Sequence, residues 1–532
     1  MKKQAIKKTL AFFLAVLMML SVVGCVQPNN GTNPSSDGGS EETPLYNVGS
    51  LPIVNEPVTI KILTQDPVNR PFSDAGDAGI WEWLEEKTGI NIEVESYPAE
   101  ELQQKLPLIM ASPDEAPDIF LNCGFKEADI MNYGQNGQIL VLDDYIEQYG
   151  TNIKACFDEL DYAYGASVSA DGHIYSLPAF NGTKTVVSHS MNREFLERID
   201  MEAPTTLEEL YEVFKKIQAS DANGNGDPND EICLTGTPKS FKRVMLSIVG
   251  LNCYWPWEGA LFDAKDDEVF FVETSEQYKY MLQWLHTFYK EGMMDNEFFT
   301  QTSDQLFAKK NADRCFMFDS YMDPFNTNVT GCEIYTPLTS AVNDTPLVTA
   351  SAPYQVAIGA ISAHTEYPEV CMLLLDYLFT EEASQVAYWG IEGVDYTVTD
   401  KENWVIECIG KNDGYGAHGY KTAMIMPYWN RDEWIQPAGT ALAQKVQDVQ
   451  GVHGKVAFQN YLHFTADESE EISVLAADLG LYLDDHYVGF ITGTYDIETE
   501  WDDYVAMCKQ LGADRLTEIY QDAYNRYYGI DQ

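Results

Sequence analysis

Apolar and polar positions first settle into a regular rhythm at residue 58. Val58-Thr59-Ile60-Lys61-Ile62-Leu63 is a β-rich run that opens into the polar loop TQDPVNRPFSDAGDAG. IWEWLEEKTG then carries helical spacing and closes on Gly89, a residue suited to a helix C-cap. INIEVESY alternates as a strand, AEELQQKLPLIMAS reads as a helix, and Pro117-Asp118-Ile119-Phe120-Leu121 as another strand. Strand, helix, strand, helix, strand predicts a parallel sheet with crossover helices. Ligands of such sheets sit beyond the carboxyl ends of the strands, so the loop bearing Asp66 and Arg70 is a candidate cleft lip.

The segment before this rhythm has a different character. Four lysines (Lys2, Lys3, Lys7, Lys8) precede the apolar run AFFLAVLMMLSVV, the layout of a secretory signal. Val22-Val23-Gly24-Cys25 resembles a bacterial lipobox, which predicts removal of residues 1–24, acylation of Cys25 and membrane attachment outside the cell. Residues 25–57, rich in Asn, Ser, Gly, Pro and Glu, read as a flexible tether reaching roughly 30 Å. Loss of the signal lysines takes the formal charge from −50 to −54, which argues against nucleic acid or other polyanions as partners. Ten cysteines without regular spacing or a CxxC pair argue against both a disulfide framework and a zinc site.

The stretch DANGNGDPNDE, residues 221–231, interrupts the pattern with four acidic side chains, three asparagines and two glycines. A helix predicted over 206–219 enters it, opened by a capping box of Thr205 or Thr206 with Glu208 or Glu209. Asp221, Asn223 and Asn225 occupy positions one, three and five, with Gly226 at six, as in the first half of an EF-hand loop. The second half departs: position twelve is Ile232, and a strand follows where an EF-hand has a helix. Four carboxylates with no base in the stretch would repel one another without a cation. The alternative is an Asx-rich turn without metal.

Further stretches occur in a telling order: Ala116-Pro117-Asp118-Ile119, GQILVLDDYI (137–146), DGHIYSLP (171–178), MNREFL (191–196) and APTTLEEL (203–210). AIGAISAHTEYP (357–368), GIEGVDYTV (390–398) and FITGTYDIETEW (490–501) follow. Together they resemble the extracellular solute-binding proteins of carbohydrate ABC importers, most closely the large lipoprotein branch for oligosaccharides. The resemblance implies an α/β fold of the two-lobed periplasmic-binding-protein type, with a multi-segment hinge and a central cleft. It implies lobe one over 58–184 and 353–427, and lobe two over 185–352 and 428–532. Hinge crossings are expected near Phe180–Val187, near Pro353–Gly359, and between Lys401 and Tyr428. It further implies a monomer that closes on an oligosaccharide and hands it to permease subunits, with structural calcium held by Asp221, Asn223, Asn225, the Asp227 carbonyl, Asp230 and Glu231.

Sugar sites pair aromatic faces with short polar groups. Aromatic residues that break the periodic patterns are therefore the candidates: Trp255, Trp257, Tyr321, Tyr354, Trp389 and Trp429, beside Asp66 and Arg70. Trp81, Trp83, Trp284 and Trp501 fall at helical spacing and read as core. The chain has only eight arginines, too few in cleft loops for a polyuronate, so the expected sugar is neutral or weakly charged. No HExxH, GxSxG or phosphate loop occurs, and no catalytic residue is assigned. A secreted glycoside hydrolase and a surface glycan adhesin are the alternatives.

Overall fold

A computed structural model describes residues 44–66, 79–113, 116–181, 187–253, 260–321, 331–401, 405–409, 426–431, 448–449 and 451–530. The chain from Leu45 onward forms one compact unit. Its strands run as β1 (Thr59–Gln65), β2 (Asn91–Tyr97), β3 (Ile119–Leu121) and β4 (Leu177–Phe180), then β5 (Val187–Asn192) and β6 (Ile232–Thr235). A hairpin of β7 (Phe262–Lys265) and β8 (Glu268–Phe271) follows, then β9 (Cys315–Tyr321), β10 (Cys332–Ile334), β11 (Val348–Ala350) and β12 (Tyr354–Ile361).

Two sheets define two lobes. The first has the order β2-β1-β3-β12-β4, with β1 parallel to both β2 and β3 and with β12 antiparallel to its neighbours. The second has the order β10-β5-β9-β6, with β6 parallel to β9 and β5 antiparallel to it. The predicted parallel start of the first sheet is present, with helices Gly79–Thr88 and Ala99–Met110 as the crossovers.

Local sequence explains the elements. In the helix Leu207–Gln218, Leu207, Leu210, Val213, Phe214 and Ile217 recur along one face and are buried in lobe two. Its start resolves the capping alternatives: the Thr206 hydroxyl accepts the Glu209 N–H at 3.1 Å, and the Glu209 carboxylate accepts from the Thr205 N–H at 2.8 Å. The helices Ala466–Thr492, Ile497–Gln510 and Ala513–Tyr528 complete the lobe-two core through residues such as Leu479, Trp501, Tyr520 and Tyr524. Eight of the cysteines in the described residues are unpaired, and among those residues no helix is long and apolar enough to cross a membrane.

Two expected boundaries are corrected. The tether was drawn to residue 57, yet Ile53 and Val54 are buried in the lobe-one core, and the Ile53 N–H donates to the Thr88 carbonyl at 2.7 Å. Two apolar side chains amid polar ones carry no periodic signal; their partners are the helix end at Thr88, the Tyr46–Asn47 segment and the lobe-one core. Lobe two was expected to resume at residue 428, but Met426 and Trp429 pack in the lobe-one core and the segment runs beside β4.

Candidate functional site

Three chain segments meet at the end of β4. The Phe180 N–H donates to the Tyr428 carbonyl at 2.8 Å, and the Asn430 N–H donates to the Phe180 carbonyl at 2.8 Å. The Asn181 N–H donates to the Pro353 carbonyl at 2.8 Å, the Asn430 side-chain amide donates to the Asn181 carbonyl at 3.0 Å, and the Tyr428 hydroxyl bonds the Asn181 side chain. The three segments therefore lie side by side there, bonded to each other mainly through backbone. Phi and psi changes in a few such residues are what a hinge needs. Asn181 and Asn430 were not singled out from sequence, because a polar residue in a crossing carries no periodic signature.

The carboxyl ends of β1 and β3 in lobe one, and of β6 and β9 in lobe two, are where ligands of such sheets sit. Asp66 sits at the end of β1, its N–H donating to the Tyr97 carbonyl at 2.7 Å. Tyr321 closes β9 opposite Val187. Arg70, Trp255 and Trp257 lie outside the described residues.

The other three aromatic candidates are packed into protein. Tyr354 stacks on Tyr162 with ring centroids 5.7 Å apart and donates its hydroxyl to the Asn460 carbonyl at 2.8 Å. Trp389 is 3% exposed and lies against Tyr388. Trp429 is 8% exposed, with the Arg431 guanidinium 4.0 Å from its ring centre. The tryptophans assigned to core behave as such: Trp81 and Trp501 are buried, and Trp83 and Trp284 pack against the two cores.

The loop 221–231 is tightly organised around oxygen. The Asp221 carboxylate accepts N–H bonds from Gly224 at 2.8 Å, Asn225 at 3.1 Å and Gly226 at 2.9 Å. Gly224 and Gly226 sit at φ of +76° and +95°, which lets the backbone wrap that carboxylate. Asp230 takes the side-chain amides of Asn223 and Asn225 at 2.8 and 2.9 Å. Glu231 accepts the Ala222 N–H through Oε1 at 2.8 Å, while its Oε2 is buried without a hydrogen-bond partner. Asp227 turns its carboxylate toward Asn229.

This arrangement fits a hard cation in part. The orphaned Glu231 oxygen is open to one, whereas the Asn223 and Asn225 amide oxygens already accept the N–H groups of Asn225 at 3.0 Å and Asp227 at 2.7 Å. The expectation that no base balances the loop is corrected, however. Arg314, from the start of β9, lies 3.5 Å from the Asp230 carboxylate and donates to its carbonyl at 3.1 Å. Arg198 reaches the Ala222 carbonyl at 3.2 Å. Among the described residues no group of three or more His, Cys, Asp or Glu is gathered to hold a metal, so the asparagines would have to complete the donor set.

Two α/β sheets with their helices, and three chain segments bonded side by side at the end of β4, give the build of a two-lobed binding protein. Residues 65–385 match the sequence model of the bacterial extracellular solute-binding proteins, and the chain belongs to that family. It is similar to the fructooligosaccharide ABC transporter substrate-binding protein FusA of Streptococcus pneumoniae, with 26% identity over 342 residues. That match covers 62% of this chain but only 60% of FusA. Lipoprotein LipO of Bacillus subtilis is 22% identical over 550 residues, covering 98% of this chain and 100% of LipO. Among solved structures, a human-milk-oligosaccharide (HMO) binding, ABC-transporter-associated solute-binding protein of Bifidobacterium longum infantis superposes with a TM-score of 0.75 at 19% identity. It covers 88% of this chain and 99% of its own. The family is one of binding proteins, which removes the glycoside hydrolase alternative.

Proposed function

We propose that this protein captures a neutral oligosaccharide between its lobes and delivers it to the permease of an ABC importer. The similarity to FusA, a fructooligosaccharide-binding transporter component, carries this reading. The residues that follow or end the lobe-one strands support a neutral ligand: Gln65, Asn122, Gly124 and Asn181 are uncharged, as are Gln355 and Val356 at the start of β12. A ligand touching both lobes favours closure by the contacts it makes only when they meet. Intrinsic tryptophan fluorescence, titrated with kestose, other neutral oligosaccharides and an oligogalacturonate, tests the reading. Saturable changes with neutral sugars and intact sugar afterwards are expected; response to the oligogalacturonate alone overturns it.

Two finer elements belong to the same proposal. The chain is anchored outside the cell through acylated Cys25, as the name of LipO suggests for that relative. A Cys25→Ser variant retained on membranes at wild-type level would sink this. Calcium is held by Asp221, Asn223, Asn225, Asp230, Glu231 and the Asp227 carbonyl, where it would offset the converging carboxylates and brace the loop. The orphaned Glu231 oxygen supports this assignment, and a FusA structure is described as an EF-hand mutant.

A further inference from the structure

The strand β12 breaks its pairing at the cleft edge of lobe one. Gln355 pairs with Ala179 and Gly359 with Leu177, so three residues of β12 (Val356, Ala357 and Ile358) face the single residue Pro178. Pro178 has no N–H to leave unpaired, which makes it a fitting partner for a bulge. Ala357 adopts φ of +58°, in the left-handed region that a residue with a Cβ avoids. On the neighbouring strand Asn122 sits at φ of +46°, and its N–H donates to the Ile358 carbonyl at 2.6 Å. From behind, Pro427 packs so closely on Gly359 that a Cβ there would come within 2.9 Å of its ring.

The bulge changes which side chains face out. A regular strand would bury either Gln355 or Val356, whereas here both are exposed and Ala357 and Ile358 are both buried. Val356, 38% exposed, thus presents an apolar surface next to an amide at the carboxyl end of β3, one step from the hinge. Strain held by three neighbouring segments is expected where it serves function.

We infer that Gln355 and Val356 form a ligand-contacting ledge, the bulge positioning the Val356 methyls against the C–H face of a sugar ring and the Gln355 amide against its hydroxyls. This rests on the oligosaccharide reading above. The test places a reporter on the ledge: Val356→Cys, with Val474→Cys on the exposed face of the helix Ala466–Thr492 as control. Every protein in the test carries Cys25→Ser and Cys408→Ser; of the eight remaining native cysteines seven are buried and Cys332 is partly so, which leaves the introduced thiol dominant in labelling. With saturating kestose, or another neutral oligosaccharide that changes the fluorescence of the wild type, fluorescein-maleimide labelling of Cys at 356 should slow at least fivefold, with 474 unchanged. Val356→Asp should weaken binding at least tenfold at an unchanged melting temperature. Wild-type binding without protection at 356 and without loss in Val356→Asp overturns the ledge alone. A wild type that binds no oligosaccharide overturns the sugar reading and the ledge with it.

Discussion

The two lobes handle buried charge in opposite ways. In lobe one, Asp376 is buried in the helix Pro368–Leu378 and is held chiefly by N–H groups, with Lys154 acting on it only from a distance. Its carboxylate accepts the N–H groups of Asn152 and Ile153 at 2.8 and 3.0 Å and the Asn152 amide at 2.8 Å, capping the helix Thr151–Glu159. In lobe two, Lys242 and Glu273 form an ion pair at 3.2 Å with side-chain exposures of 4% and 0%. The Lys242 ammonium also lies 5.2 and 5.0 Å from the ring centres of Tyr278 and Tyr487. His189 is buried there as well, its Nε2 without a partner among the described residues. A carboxylate held by fixed N–H groups loses little when a distant residue changes. A buried pair fails as a unit, so lobe two should be the more sensitive to single truncations and to pH.

The largest expected effect breaks the pair. Glu273→Ala leaves Lys242 buried and uncompensated and should cost about 3–5 kcal/mol. The double variant Lys242→Met, Glu273→Leu should recover most of it. Denaturant unfolding of the three proteins checks this, and a double variant as unstable as the single one would show that packing, not charge, dominates.

Acid titration sharpens the contrast next. Burial pushes His189 down from 6.5 to about 4. The stability this contributes is complete above pH 6.5 and is lost as pH falls toward 4, at about 1.4 kcal/mol per pH unit, or roughly 3 kcal/mol in all. Burial pushes Asp263 up to about 6, which acts in the opposite sense: its contribution is complete below 3.8 and is lost as pH rises through 6. Subtracting the stability profile of His189→Gln from that of the wild type isolates the histidine, and a flat difference between pH 7 and 4 would contradict its neutral burial.

A smaller effect is expected at the loop 221–231. If calcium is present at tenfold its dissociation constant, it adds about 1.4 kcal/mol. A chelator should lower the melting temperature of the wild type and leave Asp221→Ala, Glu231→Ala unmoved. Identical wild-type curves with and without chelator would favour the arginine-balanced turn.

The smallest concerns the seam between the lobes. Tyr354→Phe deletes the hydroxyl bond to Asn460 and should cost about 1 kcal/mol, while leaving its stack on Tyr162. Because Asn460 precedes the helices that complete lobe two, ligand affinity should shift with it if the bond biases the lobe angle. Calorimetric binding alongside thermal melts separates the two outcomes.

Alternation and helical spacing are short-range properties, and they sufficed for β1, β2, the crossover helices and the capped helix Leu207–Gln218, as well as for the core roles of Trp81 and Trp501. Residue chemistry in one contiguous stretch likewise marked 221–231 as an oxygen-rich loop. What the sequence did not contain was who stands opposite whom. Arg314 balances Asp230 only because β9 runs beside β6, and Trp429 is buried only because the third crossing lies along β4. The bulge at Val356–Ile358 arises from Pro178, a partner 178 residues before Val356 in the chain. These are pairings between distant segments, and local periodicity carries no information about them; the tertiary structure decides them by bringing donors, charges and rings within contact distance.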